Sequence, residues 1–137
     1  GVQTCALPIL RLYESMDKYD VVGGLYWCKG PDGKPMCYGR TDVFPVNFAP
    51  FMPDPEAVTP CNGLGMGFTL FKMEIFKNKK LPKPFFETTQ KIVPGVGLQN
   101  YTQDLKFFEN AGKLGYKFAC DSRVRVGHYD LENDQMW

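Results

Sequence analysis

The chain has one histidine, almost no net charge and no long apolar run. Its 16 basic residues are balanced by 15 acidic ones, and no basic stripe is present, so a long nucleic-acid track is disfavoured. No segment approaches the ~20 consecutive apolar residues that a membrane-spanning helix needs. A single imidazole also excludes zinc sites that need two histidines.

Cysteine is present but lacks the C-x-x-C spacing of metal or redox motifs. Cys28 and Cys37 flank a predicted hairpin, so a disulfide between them is one alternative in an oxidising compartment. Free thiols in a cytoplasmic protein are the favoured interpretation, because cytosolic thiols stay reduced. We therefore expect a cytoplasmic location.

With 137 residues, of which 44% are hydrophobic and 15% aromatic, the chain has the composition of one globular domain. Residues 1–9 match the translation of a sequencing adapter, and we expect them to be an artefact rather than native sequence. An ordinary N-terminal strand is the alternative. The native domain is then expected over 10–130 in an N-terminally truncated fragment, with a polar tail over 131–137.

Apolar residues at 9, 12, 13 and 16 follow helical spacing and predict a helix over 9–17. Residues 21–28 are rich in β-forming side chains and predict a buried strand, in which Gly23-Gly24 marks a bulge or a close backbone approach. A turn at 30–33 then predicts a hairpin that returns through 35–38.

Two segments rich in proline, 41–60 and 81–101, are predicted to be irregular. The first carries aromatic residues and is expected to pack across the domain face, and the second could close over a substrate. Between them, residues 67–71 predict a strand and residues 73–77 a short helix.

Thr102 is a good N-cap for a helix over 103–114 that Gly115 ends, with Leu105, Phe108 and Ala111 or Gly112 facing inward. Short strands over 116–120 and 123–126 are expected around a turn at Asp121-Ser122. The alternation of helices and strands predicts the α/β class.

Asp104 lies in the first turn of that helix, where the macrodipole favours an acid whether or not it has a function. Because a loop rich in glycine and proline leads into the helix, Asp104 could instead border a cleft and act as a general base. His128, the lone histidine, is usually a packed or solvated residue; with Asp121 or Asp130 it could ligate a metal.

Gly63, Gly65 and Gly67 precede a strand rather than a helix, so they fail the dinucleotide fingerprint. These glycines could instead mark a bulge, or form a surface of small residues against which a ligand can lie. Tyr26, Trp27 and Tyr101 could stack on sugar rings, although a place in an aromatic core is the more ordinary use.

Four blocks in this order resemble the family-two-like GT-A glycosyltransferases of bacteria and phages. They are Val21–Tyr26, Gly65–Phe71, Thr102–Phe107 and Val126–His128. The resemblance covers nearly all of 10–130. It implies the C-terminal, acceptor-side half of a three-layer α/β fold with a mixed sheet and flanking helices.

The resemblance also implies roles. Asp104 would be the catalytic base, beside Gln103 where the family often has Glu. Tyr26, Trp27, Gly65 and Gly67 would line the donor and acceptor region together with Gln103. His128 would be the third ligand of Mn²⁺ or Mg²⁺, beside an Asp-x-Asp that is absent from this chain.

The implied activity is sugar transfer from a nucleotide-sugar donor to a glycan, lipid or protein acceptor, with neither nucleic acid nor a transmembrane segment involved. The fragment alone is expected to be inactive. A non-enzymatic carbohydrate-binding or structural module is the main alternative, and a small metal-assisted hydrolase built on His128 and Asp130 ranks last.

Overall fold

The computed structural model describes residues 2–29, 33–95 and 97–136. Three helices are present in these ranges: α1 (Val2–Tyr13), α2 (Glu74–Lys77) and α3 (Gln103–Lys113). The strands are β1 (Val21–Leu25), β2 (Cys37–Arg40), β3 (Val58–Leu64), β4 (Thr69–Phe71), β5 (Thr89–Val93), β6 (Gly97–Tyr101), β7 (Phe118–Arg125), β8 (Tyr129–Asp130) and β9 (Gln135–Met136).

Five strands form one sheet in the order β2-β3-β7-β1-β4. The central pair, β1 and β7, is parallel, and every other pair in the sheet is antiparallel. Two small ribbons, β5–β6 and β8–β9, complete the strands. The sheet is mixed and carries helices, so the α/β class predicted from the sequence is confirmed.

Strand β3 divides its pairing between two neighbours. Its first half pairs with β7, where Val58 lies opposite Asp121, and its second half pairs with β2, where Leu64 lies opposite Cys37. The Leu64 side chain reaches to 3.1 Å from the point where a Cβ on Gly23 would lie, so the second half of β3 packs over β1.

Gly23-Gly24 lies at a bulge, as the sequence predicts. The register between β1 and β7 shifts after Gly24: that residue faces Asp121, whereas Leu25 faces Arg125, so the extra residues are on β7. A Cβ on Gly24 would lie 3.0 Å from the Val124 side chain, and glycine is therefore also required by the close approach.

Two apolar clusters cover the two faces of the sheet. Val21 and Val22 are both fully buried, but neighbouring side chains of a strand point to opposite faces, and the two valines belong to different clusters. The larger cluster contains Phe107 and Phe108 of α3. The smaller one contains Leu12 and, just after α1, Met16. Each fully buried side chain of this size contributes about 1.5–3 kcal/mol.

The helical face predicted at 9, 12, 13 and 16 is only half correct. Leu12 and Met16 are buried, whereas Ile9 and Tyr13 are 48% and 69% exposed. Helix α1 ends at Tyr13, so Met16 reaches the core from the following turn and the helical spacing no longer applies. Among the described residues, no helix is long and apolar enough to cross a membrane.

The prediction that 81–101 is irregular is wrong for its second part, which forms the β5–β6 hairpin. The prolines at 82, 84 and 94 lie outside both strands, so they do not interrupt the pairing. The prediction for 41–60 is wrong at its end, because Pro60 lies within β3. The described β2–β3 pairing ends opposite Cys61, so Pro60 needs no amide donor on that side.

The predicted turn at Asp121-Ser122 is also wrong, since β7 runs through both residues. Arg123 binds the Asp121 carboxylate with two hydrogen bonds, of 2.9 and 2.8 Å. The Ser122 hydroxyl donates to the carbonyl of Asp54 at 2.6 Å. These partners satisfy polar side chains that otherwise favour turns.

The residues on both sides of the turn confirm the predicted hairpin after β1. Of the predicted turn at 30–33, residues 30–32 lie outside the described residues. The Met36 amide donates to the Tyr26 carbonyl at 2.9 Å. The Cys28–Cys37 disulfide alternative is not borne out: both thiols are free, and Cys37 instead lies buried beside Cys61 and Cys120.

Candidate functional site

Asp104 lies in the first turn of α3. Thr102 is the N-cap residue, with extended backbone and its carbonyl accepting the Lys106 amide at 3.0 Å. The helix ends at Lys113, and Gly115 follows with φ of 89°, in agreement with the predicted bounds. Asp104 is half-buried at the positive end of the helix dipole, where a carboxylate is stabilised.

Buried apolar side chains that follow Asp104 along α3 hold the helix against the core. Phe107, Phe108 and Ala111 are fully buried, whereas Leu105, predicted to face inward, is half-buried. Leu105 nevertheless packs on β3, since its side chain lies 3.3 Å from the point where a Cβ on Gly63 would be. The first turn of α3 therefore packs against the second half of β3.

Tyr26 directly follows β1, and its hydroxyl accepts a hydrogen bond from the Gly67 amide at 2.8 Å. Burial raises the pKa of Tyr26, the Gly67 amide opposes this rise, and the charge of Asp104 adds to it. The Tyr26 phenol is therefore neutral at physiological pH.

Tyr38 on β2 is a site residue that the sequence analysis missed. Burial raises the pKa of Tyr38 to about 12, with the charge of Asp104 as the next contribution. Its hydroxyl donates to the Met36 sulfur at 3.0 Å. The available signal was its place on the returning strand of the hairpin, which brings it back toward the residues after β1.

Gly65 and Gly67 lie against Tyr26. A Cβ on Gly67 would be 2.7 Å from the Tyr26 ring, and one on Gly65 would contact the Tyr26 hydroxyl and Met36. The Gly65 amide donates to the Met36 carbonyl at 3.0 Å. Tyr26 and Met36 thus occupy the space that the two glycines leave, so the glycines shape the site through these side chains.

The remaining predicted residues lie around this group. Gln103 is exposed at the start of α3 beside Asp104. Trp27 is half-buried, forms a bridge with Pro35 and packs against the larger apolar cluster. His128 is exposed in the segment after β7, which runs beside the end of β1 because the Val126 amide donates to the Leu25 carbonyl at 3.0 Å.

The two acids considered as partners of His128 are engaged elsewhere. Lys29 and Asn133 each contact the Asp130 carboxylate at 2.7 Å, and together they lower its pKa to about 2. Asp121 is buried and bound by Arg123. Within residues 2–29, 33–95 and 97–136, no group of three His, Cys, Asp or Glu residues could hold a metal ion.

The structure thus brings Tyr26, Gly65 and Gly67 into one group, and Met36 joins Tyr38 to it. Asp104 lies on the neighbouring first turn of α3, and its charge contributes to the raised pKa of both tyrosines. A half-buried carboxylate near two neutral phenols can accept a proton from a hydroxyl compound while the phenols orient it. The described contacts do not connect His128 or Trp27 with Asp104.

Neither a family model nor a curated protein matches the chain. Among solved structures, the chain is similar to A197 from STIV, with a TM-score of 0.54 and 22% sequence identity. The match covers 90% of this chain and 53% of that protein, so the chain spans about half of its length. At this identity the similarity concerns the fold alone.

Proposed function

We propose that this chain forms the acceptor side of a GT-A glycosyltransferase, within a protein that transfers a sugar from a nucleotide-sugar donor to an acceptor hydroxyl. The observation that carries the proposal is the position of Asp104 at the N-terminus of α3, where the next residue, Leu105, packs against Gly63, the register partner of Tyr38. The charge of Asp104 also contributes to the raised pKa of Tyr26 and of Tyr38. The four sequence blocks that resemble the family support the same interpretation.

In this proposal Asp104 accepts the proton of the acceptor hydroxyl as the oxygen attacks the anomeric carbon of the donor, which describes an inverting enzyme. The bond to the leaving nucleoside diphosphate breaks in the same step. Tyr26 and Tyr38 stay neutral, since burial raises the pKa of each, and can hydrogen-bond the acceptor. Gln103 lies at the exposed edge of this region and can contact the sugar as an amide.

The position of the group in the sheet supports a ligand site. Tyr26 and Trp27 follow the carboxyl end of β1, one of the two parallel strands. In open α/β sheets, ligands bind outside the carboxyl ends of parallel strands. The GT-A three-layer arrangement itself is part of the proposal; the mixed sheet with α1 and α3 on opposite faces is compatible with it.

The divalent cation is a separate part of the proposal. His128 can supply one nitrogen ligand, but the described residues do not provide the further carboxylates that Mn²⁺ or Mg²⁺ needs. The described residues therefore do not form a complete metal site by themselves, and the proposed proton transfer to Asp104 involves no metal. The cation stays an expectation from the family resemblance.

The test is the release of nucleoside diphosphate from a panel of nucleotide sugars by the longest protein that the gene encodes, with and without Mn²⁺ and with simple sugar acceptors. We expect release with at least one donor. Binding of sugars that is indifferent to nucleoside diphosphate and Mn²⁺, with no release from any donor, would contradict the proposal and favour a carbohydrate-binding module.

A further inference from the structure

A cavity of about 840 Å³ lies alongside α3, with a lining that extends from Tyr101, just before the helix, to Lys117, just after it. Its walls include Phe108, Glu109 and Gly112 of α3, and Tyr116 and Lys117 just before β7. Gly112 is eight residues beyond Asp104, which corresponds to about 12 Å along a helix. Of the residues that the sequence analysis singles out for ligand contacts, Tyr101 lines this cavity, whereas Asp104, Tyr26, Trp27 and His128 do not.

The wall of the cavity is largely aromatic and apolar. Phe48 and Tyr101 meet edge to face, with ring centroids 6.2 Å apart, and Pro60 and Phe108 continue the same surface. The Tyr116 hydroxyl accepts a hydrogen bond from the Asn78 side chain at 2.9 Å, which holds that ring in place. Such a wall suits a flat apolar group, which can stack or pack edge-on against these rings.

The rim of the cavity is cationic. Lys18, Lys113 and Lys117 line it with a single acid, Glu109. Glu109 is already paired with Lys113 at 2.9 Å and with Lys106 at 3.0 Å. Within the part of the chain that the structure describes, neither Lys18 nor Lys117 has an ion-pair partner. Two exposed cations are thus left to attract an anion.

We propose that this cavity binds an amphipathic anion, a small molecule with a flat apolar ring system and a phosphate or carboxylate group. The ring system lies against Phe48, Tyr101 and Tyr116, which are half-buried, and the anionic group lies between Lys18 and Lys117. The site is separate from the Asp104 group and uses no sugar donor, so its test is independent of the proposed transferase.

The experiment uses 1-naphthyl phosphate as the probe, titrated calorimetrically into the full chain. 1-Naphthol, which lacks the charge, and inorganic phosphate, which lacks the ring, are titrated in parallel. We expect saturable binding of naphthyl phosphate that weakens with added salt, at least tenfold weaker binding of naphthol, and no saturation with phosphate. Equal affinity for phosphate and naphthyl phosphate would overturn the role of the apolar wall.

Gly112→Met is expected to occupy part of the cavity and to leave the fold intact. A Cβ at this position would meet only the Phe118 ring, at 3.6 Å, and methionine favours a helix more than glycine does. We expect unchanged or higher thermal stability and at least tenfold weaker binding of the probe. Wild-type affinity in folded Gly112→Met would overturn the proposal.

A charge variant tests the rim independently of packing. The double substitution Lys18→Gln, Lys117→Gln is expected to weaken naphthyl phosphate binding about tenfold, while Lys79→Gln, Lys80→Gln, whose lysines are exposed outside the cavity, leaves it unchanged. An equal loss in both double variants would show only general attraction to a basic protein and would overturn the site, as would a wild-type chain that never saturates.

Discussion

The Tyr26 hydroxyl accepts a hydrogen bond from the Gly67 amide at 2.8 Å, and the ring fills the space that a side chain at Gly67 would need. This contact joins the end of β1 to the segment before β4. It fixes the position of a phenol whose pKa the charge of Asp104 helps to raise, so the packing of one glycine bears on the proposed site.

Gly67→Ala should destabilise the protein. Its Cβ would lie 2.7 Å from the Tyr26 ring, too close for any ordinary contact, so Tyr26 must move. We expect a loss of about 1–3 kcal/mol in the free energy of unfolding, measured by urea denaturation. Gly112→Ala is the control, since its Cβ has ordinary contacts and alanine should gain about 1 kcal/mol in the helix. Equal stability of the two variants would contradict the described packing.

Glu109 should make stability depend on pH in acid. Burial alone would raise its pKa, but hydrogen bonds from Lys113 and Lys106 outweigh burial and lower the pKa from 4.5 to about 2. Because the folded value lies below the unfolded one, the stabilisation is complete above pH 4.5 and is lost as the pH falls toward 2. Since solvent screens the partly exposed lysines, we expect only about 1–2 kcal/mol.

The Glu109 prediction is checked by urea denaturation between pH 6 and pH 2.5 for the wild type and Glu109→Gln. The variant should lose part of the acid dependence, while Glu87→Gln, an exposed glutamate, should keep all of it. An identical pH dependence in the wild type and Glu109→Gln would show that the lysines around Glu109 do not stabilise its charge.

The thiols should differ in reactivity. Cys28 is half-buried, whereas Cys37, Cys61 and Cys120 are buried. A hydrogen bond with Cys37, together with burial, raises the pKa of Cys120, so its thiolate is scarce. In a Cys5→Ser background we expect one fast-reacting thiol with a chromogenic disulfide reagent and none after Cys28→Ser. A second fast thiol in the folded protein would contradict the burial of the cluster.

Asp130→Asn should loosen the C-terminal ribbon without unfolding the domain. The ion pair with Lys29 at 2.7 Å connects β8 to the segment after β1, and asparagine removes its charge. We expect faster amide hydrogen exchange over 127–136 and an unchanged melting temperature. Glu132→Gln, which removes a charge from an exposed side chain of the same ribbon and keeps the Lys29 contact, is the control. If exchange over this segment stays at the wild-type rate, the ion pair does not hold the ribbon.

The sequence was sufficient where local signals agreed with tertiary structure. The cap-to-glycine pattern around α3 predicted the observed helix, because the positive φ of Gly115 is a local requirement. The glycine pair in β1 predicted the bulge, and the side chain that approaches Gly24 belongs to Val124 of β7. The prediction from sequence was wrong where contacts with residues distant in the chain determine the local structure. Asp121 and Ser122 read as a turn, yet Arg123 and the carbonyl of Asp54 satisfy them within a strand.

The site residues likewise separate into those that local sequence signals predict and those that depend on tertiary contacts. Asp104 could be found from its place in a predicted helix, and Tyr26 from the end of a predicted strand. Tyr38 was not found in this way, because its place near the first turn of α3 depends on the pairing of β2 with β3 and on the packing of Leu105 against Gly63. No periodicity in the sequence encodes these contacts.

The most direct test of the central claim is the turnover of Asp104→Asn with the donor that the release assay identifies. If Asp104 is the base, kcat should fall by about 10²-fold or more while the acceptor KM changes only a few-fold. Asp42→Asn, whose carboxylate is exposed and paired with Arg40, should retain wild-type turnover. A wild-type kcat in folded Asp104→Asn would contradict the assignment.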